Sequence, residues 1–116
     1  MREDGRIDYV ELPGGELPAT KGFYAEAFGW AFTDYGPDYS AFDEGLDGGF
    51  WADPEANPEG ARKPMIILFA HDLEAMEAKV RAAGGVVVRP IFSFPGGRRF
   101  HFTDPAGNEL AVWTEA

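Results

Sequence analysis

The chain of 116 residues contains no cysteine. Thiol catalysis and cysteine-based zinc or iron–sulfur sites are therefore excluded, and the composition fits a reducing compartment. No apolar run approaches the roughly 20 residues that a membrane-spanning helix needs. The first six residues, Met-Arg-Glu-Asp-Gly-Arg, include no apolar segment of the kind that signal peptides carry. These absences predict a soluble, cytoplasmic protein.

Positive charge is scarce, with 10 Lys and Arg residues against 20 Asp and Glu residues, which gives a formal net charge of −10. Such a balance repels phosphate backbones, so no nucleic-acid partner is expected. The acidity has two interpretations. The first is that it serves only to solvate the surface, and the second is that it favours a neutral or cationic ligand over an anionic one.

The first half of the chain predicts one strand, one helix and three further strands. Residues 7–12 alternate as a strand does, and a helix begins near Leu17 and Pro18 and ends before Gly29, a favoured helix-ending residue. Three more strands are predicted over residues 30–34, 39–44 and 48–51. Helical spacing predicts that one buried stripe contains Thr20, Phe23, Tyr24, Ala27 and Phe28.

The second half repeats this order after residues 53–63, which contain no large apolar side chain and read as a linker. A strand over residues 65–70 precedes a helix over residues 73–83, for which Asp72 is a suitable N-cap. Two further segments are predicted. Residues 86–89 form a strand that Pro90 ends, and residues 92–95 form an apolar loop that covers a ligand site or a subunit interface.

A hairpin closes the chain. Residues 99–103 and 109–114 have strand-like patterns, and the turn between them is Asp104-Pro105-Ala106-Gly107-Asn108. Tyr9 aligns with Met65 and Leu17 with Leu73, both at a separation of 56 residues, so strand, helix and three strands occur twice.

This repeat resembles the vicinal-oxygen-chelate superfamily of glyoxalases, bleomycin-resistance proteins and extradiol dioxygenases. The motifs that carry the resemblance are Phe23-Tyr24, Phe28-Gly29, Asp72-Leu73-Glu74, Pro95-Gly96-Gly97 and the turn from Asp104 to Asn108. The resemblance implies one α+β domain over residues 1–116. Two βαβββ modules, about residues 7–52 and 64–114, would form a curled mixed sheet, or cup, with the helices packed outside.

Strand alternation separates the predicted helix-facing side chains from those that face the cup. The helix-facing set is Val10, Leu12, Ile66, Leu68, Phe100, Phe102, Leu110 and Val112. The predicted ligand-binding set combines aromatic and ionisable groups, as binding sites do. Its members are Tyr9, Phe50, Trp51, Met65, Phe69, Phe92, Arg99, His101 and Trp113, and which of Phe50 and Trp51 points inward is open.

The resemblance also implies a divalent metal held by one residue on each of four strands. The corresponding positions here are Tyr9, the Gly49–Phe50 region, Met65 and Ala111, none of which is a good ligand for a hard cation. We therefore predict no metal and no other cofactor. The alternative is a displaced metal site built from His101, Glu11 and Glu109, whose side chains carry suitable donor atoms.

Three functions remain open at this stage. The first is a small-molecule binding or sequestering protein for a hydrophobic or planar, neutral or cationic ligand, similar to the bleomycin-resistance members. The second is a lyase, isomerase or dioxygenase-like enzyme acting on a small oxygenated metabolite, with His101 as catalytic base and Glu11 or Arg99 in support, or with the displaced metal. The third is an interaction module. The resemblance also implies a homodimer.

Overall fold

The computed structural model describes residues 2–52 and 64–115 as an α+β protein. The predicted linker at residues 53–63 lies outside the described residues. The chain divides into two compact units. The N-terminal unit is Tyr9–Pro64, and the C-terminal unit combines Met1–Asp8 with Met65–Ala116. No helix in the part of the chain described is long and apolar enough to cross a membrane.

The N-terminal unit has the predicted βαβββ order. Its elements are β1 (Ile7–Pro13, whose first two residues count with the other unit), α1 (Leu17–Phe28), β2 (Thr33–Asp34), β3 (Tyr39–Asp43) and β4 (Asp47–Trp51). The strand order is β2-β3-β4-β1. Strands β1 and β4 are parallel, whereas β3 pairs with both of its neighbours in an antiparallel manner.

The C-terminal unit repeats that order, which confirms the predicted duplication. Its elements are β5 (Met65–Phe69), α2 (Leu73–Ala82), β6 (Val86–Phe94), β7 (Gly97–Thr103) and β8 (Glu109–Glu115). The strand order is β5-β8-β7-β6, in which β5 and β8 are parallel and the other pairs are antiparallel. The mixed pairing and the two helices confirm the predicted α+β class.

Each unit has its own apolar core between its helix and its strands. In the C-terminal unit the buried residues are Ala70, Leu73, Phe100 and Val112, and Leu68 and Phe102 pack against them. In the N-terminal unit they are Leu17, Phe42 and Phe50, joined by Val10, Leu12 and Tyr24. The helix-facing parity predicted from strand alternation is confirmed for Val10, Leu12, Leu68, Phe100, Phe102 and Val112.

The predicted buried stripe of α1 is wrong for three of its five members. Phe23 is 58% exposed and Phe28 is 64% exposed, and Ala27 is exposed as well. The helix instead turns Leu17 and Tyr24 towards the core. Apolar residues surround most of this helix, so the 3.6-residue period admits more than one buried face.

The prediction that Pro90 ends a strand is also wrong. Strand β6 runs through Pro90 to Phe94, and Phe92 pairs with Arg99 of β7. The loop expected at residues 92–95 is therefore mostly strand. Proline lacks a backbone N–H, but β6 is the last strand in its unit's order and its pairing shifts register on both sides of Arg89, conditions under which a strand accepts proline.

The closing turn forms as predicted. The Asp104 carboxylate accepts hydrogen bonds from the backbone N–H groups of Ala106 and Asn108 at 2.9 Å each, and Gly107 has a φ of 89°. The Asn108 side-chain amide also donates to this carboxylate at 2.9 Å. That bond is the largest cause that holds the pKa of Asp104 below its usual value, and the backbone bonds add to it. The turn thereby aligns β7 with β8, which carry His101 and Trp113.

Candidate functional site

Trp113 is an aromatic side chain of the C-terminal unit that several neighbouring groups hold in place. Its ring centroid lies 5.8 Å from that of Phe69 and 6.3 Å from that of Phe94. The guanidinium of Arg2 lies 5.2 Å from the indole centroid. The indole Nε1–H donates a 2.8 Å hydrogen bond to the Asp8 carboxylate. This bond restricts rotation of the Trp113 side chain. An aromatic ring held in this way is suited to stacking, because little rotamer entropy is lost when a ligand binds.

Arginine side chains accompany the neighbouring aromatic rings of β6. The Arg89 guanidinium lies 3.8 Å from the centroid of Phe92, within the range of a cation–π contact. The Arg99 guanidinium lies 5.9 Å from the centroids of both Phe92 and Phe94. Apart from Met65, the residues predicted to bind a ligand from this half of the chain thus lie close together. Arg2 and Arg89 lie beside them and were not among the predicted residues.

His101 is 6% exposed and has hydrogen-bond partners at both ring nitrogens. The Nε–H of Arg99 donates to His101 Nε2 at 3.1 Å, so Nε2 carries no proton. The proton is therefore on Nδ1, which donates to the Glu109 carboxylate at 3.0 Å. A carboxylate that orients a histidine is an arrangement used in acid–base catalysis. Here, however, the basic lone pair is already occupied by Arg99.

The pKa of His101 is lowered, first because burial disfavours the imidazolium. The hydrogen bond to Glu109 acts in the opposite direction, and the charge of Arg99 adds to the lowering. Below the unfolded value of 6.5 the unfolded chain takes up a proton that the folded chain does not. The free energy of unfolding therefore decreases, through His101, as the pH falls from 6.5 towards the pKa of this histidine in the folded protein.

We expect the imidazole signals of His101 in a ¹H–¹³C NMR titration to have a midpoint below 6.5. Substituting Glu109 by glutamine should lower the midpoint further, because the carboxylate is the group that favours the imidazolium. A His101 midpoint at or above 6.5, or one that rises in Glu109→Gln, would contradict the buried, neutral histidine described here.

A second polar cluster lies in the N-terminal unit. The hydroxyl oxygens of Tyr9 and Tyr39 are 2.6 Å apart, and the Tyr39 hydroxyl donates to the Glu11 carboxylate at 3.2 Å. The sequence pattern predicted Tyr9 and Glu11 as functional residues, and the structure brings both to Tyr39. Burial raises the pKa of both tyrosines, and the negative charge of Glu11 contributes further.

The sequence pattern did not identify Tyr39 as a member of this cluster, although one feature of the sequence indicates its position. A Cβ built on Gly49 would overlap the hydroxyl and ring atoms of Tyr39, so the tyrosine lies directly over this glycine. The consecutive glycines Gly48 and Gly49 stand inside a strand, and glycine within a strand often marks a place where another group approaches the backbone closely.

The remaining predicted ligand-binding residues divide between core and partly exposed positions. Phe50 is 2% exposed and packs with Leu17 and Tyr24, so it belongs to the core beside α1. Its burial there arises because alternate residues of β4 face opposite sides. Trp51 is the member of the pair that points away from this core, and it and Met65 are partly exposed.

The residues at the implied metal positions do not fit a hard divalent cation. Gly49 supplies no donor, and Tyr39 occupies the space in front of it. The Tyr9 hydroxyl is engaged with Tyr39, Met65 offers a thioether, and Ala111 is fully buried without a donor atom. Within residues 2–52 and 64–115, no three His, Asp or Glu side chains form a group that could hold a metal ion.

Comparison with known sequences gives a consistent result. A sequence profile of the Glyoxalase/Bleomycin resistance protein/Dioxygenase superfamily matches residues 6–112. The mycobacterial protein CFP32 of Mycobacterium bovis, which has a provisional glyoxylase name, is 31% identical over 120 residues and aligns with 94% of this chain. Its counterpart in Mycobacterium tuberculosis matches equally well. The chain spans 45% of the length of these relatives.

Solved structures share the fold at low sequence identity. Methylmalonyl-CoA epimerase from Mycobacterium tuberculosis superimposes with a TM-score of 0.75 at 14% identity, covering 100% of this chain and 91% of that one. The Mn(II)-bound glyoxalase from Novosphingobium aromaticivorans has a TM-score of 0.65 at 23% identity, covering 98% of this chain and 40% of that one. At such identities the likeness concerns the fold alone.

Proposed function

Since this chain belongs to the glyoxalase/bleomycin resistance protein/dioxygenase superfamily, we propose that it binds and sequesters a small planar molecule without the superfamily's usual metal. The observation that carries the proposal is the fixed indole of Trp113, which the rings of Phe69 and Phe94 adjoin and the Asp8 carboxylate anchors. The mismatch at the four metal positions supports a mode of binding through aromatic contact rather than chelation.

The charges near these rings limit the charge that a bound ligand can carry. The guanidinium groups of Arg2, Arg89 and Arg99 lie against the aromatic rings of the C-terminal unit. A cation placed beside them would be repelled. Of the neutral and cationic ligands that the acidic composition favours, we therefore propose a neutral, planar one.

Equilibrium dialysis with 4-nitroanisole, a neutral planar probe, tests the proposal. Replacing Trp113 by alanine should weaken binding about tenfold, because an aromatic stack together with its buried area contributes on the order of 1–2 kcal/mol. Phe28→Ala, which removes an aromatic ring that is 64% exposed, should bind the probe as the wild type does. Equal affinity in the wild type and Trp113→Ala, with a retained fold, would remove the basis of the proposal.

The orientation of His101 by Glu109 favours a second candidate, a metal-free lyase or isomerase acting on a small oxygenated metabolite. His101 would accept a proton at Nε2 only after Arg99 Nε moves from it. In an assay with such a metabolite, unchanged turnover in His101→Ala would exclude this role. A homodimer in the cytoplasm, with neither nucleic acid nor membrane as a partner, stays a prediction.

A further inference from the structure

The Arg2 side chain lies over Trp113, the ring on which the proposed function depends. Its guanidinium carbon is 5.2 Å from the indole centroid, within the range of a cation–π contact. Two carboxylates flank this guanidinium, because Arg2 Nε is 3.3 Å from Asp8 Oδ2 and 3.4 Å from Glu115 Oε1. The chain thus places a planar cation of its own on the indole, between two negative charges.

Main-chain hydrogen bonds bring the N-terminal segment to this ring. The N–H of Gly5 donates to the carbonyl oxygen of Phe69 at 2.8 Å, and the N–H of Phe69 donates to the carbonyl oxygen of Arg6 at 3.3 Å. Phe69 is itself aligned with Trp113 in the β5–β8 register. These bonds hold the segment that carries Arg2 beside Trp113, all within the C-terminal unit.

The environment of Asp8 favours a cation at this position. The Asp8 side chain is 14% exposed, and the same Oδ2 atom accepts the indole Nε1–H of Trp113. A carboxylate with so little water around it is stabilised by a positive charge nearby. Glu115 follows Trp113 by two residues on β8, so it lies on the same side of the strand. The Trp113 ring with these two carboxylates, here called the indole site, suits a planar cation.

The guanidinium of Arg2 can be exchanged for another planar cation. Its Nε atom is buried and has no hydrogen-bond partner among residues 2–52 and 64–115, although both carboxylates are close to it. Charge and the aromatic ring therefore hold this atom without an aligned hydrogen bond. An external cation that took its place would break no such bond at Nε.

Arg99 is a second cation near this ring, since it is aligned with Trp113 across β7 and β8. Its Nε–H donates to His101 Nε2 at 3.1 Å, and its guanidinium lies 5.9 Å from the centroid of Phe92. Arg99 is thus engaged with β6 and with the histidine, whereas Arg2 is engaged with the two carboxylates of the indole site.

We propose that Arg2 determines the charge selectivity of the indole site by occupying, as an internal planar cation, the position that an external planar cation would take. The proposal rests on the proposed function, in which a neutral planar ligand stacks on Trp113. It specifies the class of ligand that the site accepts once Arg2 is removed, namely a planar cation such as an amidinium or a guanidinium.

A matched pair of probes, benzamidine and benzamide, tests this role by equilibrium dialysis. The two molecules are nearly equal in size and shape, but only benzamidine is positively charged at neutral pH. Arg2→Ala should raise the ratio of benzamidine affinity to benzamide affinity about tenfold over the wild type, a factor that a cation–π contact and an ion pair together supply. Arg2→Gln, which also removes the charge, should raise the ratio in the same direction.

Arg6→Ala is the matched control, because it makes the same change in net charge on the same segment. The Arg6 side chain is paired with exposed Glu3, so this variant should keep the wild-type ratio. Adding Glu115→Gln or Trp113→Ala to Arg2→Ala removes one part of the indole site. Each double variant should therefore return the ratio towards the wild-type value.

An unchanged ratio in both Arg2 variants, or an equal rise in Arg6→Ala, would overturn the role of Arg2. The proposed function would stand in that case if 4-nitroanisole binding still depends on Trp113. A ratio that rises in Arg2→Ala only while Trp113 is present, beside wild-type binding of 4-nitroanisole that ignores Trp113→Ala, would overturn the proposed function and support the role of Arg2. If the wild type and Arg2→Ala bind none of the three probes, both proposals are overturned.

Discussion

Replacing Phe100 by alanine is expected to lower the free energy of unfolding by about 3–5 kcal/mol. The Phe100 side chain is 0% exposed and lies in the core with Leu73 and Val112, so the substitution leaves a cavity that its neighbours can fill only in part. Urea unfolding followed by circular dichroism measures the change. A loss below about 1 kcal/mol would mean that β7 does not pack against α2 as described.

Phe23→Ala is the matched control for this prediction. Phe23 is 58% exposed on α1, although helical spacing predicted that it would be buried. The same loss of a ring should therefore change the free energy of unfolding by only about 0.5 kcal/mol. An equal decrease in the free energy of unfolding in Phe23→Ala and Phe100→Ala would contradict the orientation of α1. It would instead support the buried stripe predicted from helical spacing.

Introducing glutamate at Ala111 is expected to destabilise the protein by about 3 kcal/mol or more. Ala111 is 0% exposed and is aligned with Ile67 on one side and neutral His101 on the other. A carboxylate at this position would lose its hydration, and the His101 imidazole aligned with it is neutral. Ala111→Gln introduces a neutral side chain of nearly the same size, so the difference between the two variants isolates the cost of the charge.

Position 111 is where the family resemblance implies a metal ligand. The Ala111→Glu variant therefore also shows whether adding a carboxylate there is enough to create a cation site. We propose that the surrounding residues cannot hold one, so millimolar Mn²⁺ should leave the unfolding midpoint of Ala111→Glu unchanged. A ligand that binds only the folded state raises stability. A selective gain in the stability of Ala111→Glu with Mn²⁺, absent in Ala111→Gln, would therefore contradict the proposed loss of metal binding.

Local chemistry made much of the fold predictable. Gly29 ends α1 with a φ of 73°, the left-handed conformation that favours glycine. Asp72 caps α2 by accepting a hydrogen bond from the backbone of Ala75, and Asp104 organises the closing turn. Each of these features depends on residues within a few positions of one another, so the sequence displays them directly. Because the sequence repeats, the element order predicted for one half also applied to the other half.

The errors arose where the outcome depends on distant parts of the chain. The face that α1 buries is selected by Phe42 and Phe50 of the sheet, which the helical period cannot reveal. Pro90 is tolerated because β6 is the last strand in its unit's order, a fact of topology. Among the candidate site residues, Tyr39 was missed because its partner Tyr9 lies 30 residues away. Which of Phe50 and Trp51 faces the helix was left open, because the face is determined by the pairing of β4 with its neighbouring strands, and Phe50 lies in the core.

We propose that this chain binds a small planar molecule without a metal. The measurement that tests it most directly is the affinity for 4-nitroanisole before and after exhaustive dialysis against EDTA, with the metal content of both samples determined by elemental analysis. We expect an unchanged affinity and no stoichiometric divalent metal. Affinity that disappears with EDTA and returns with added Mn²⁺ would contradict it.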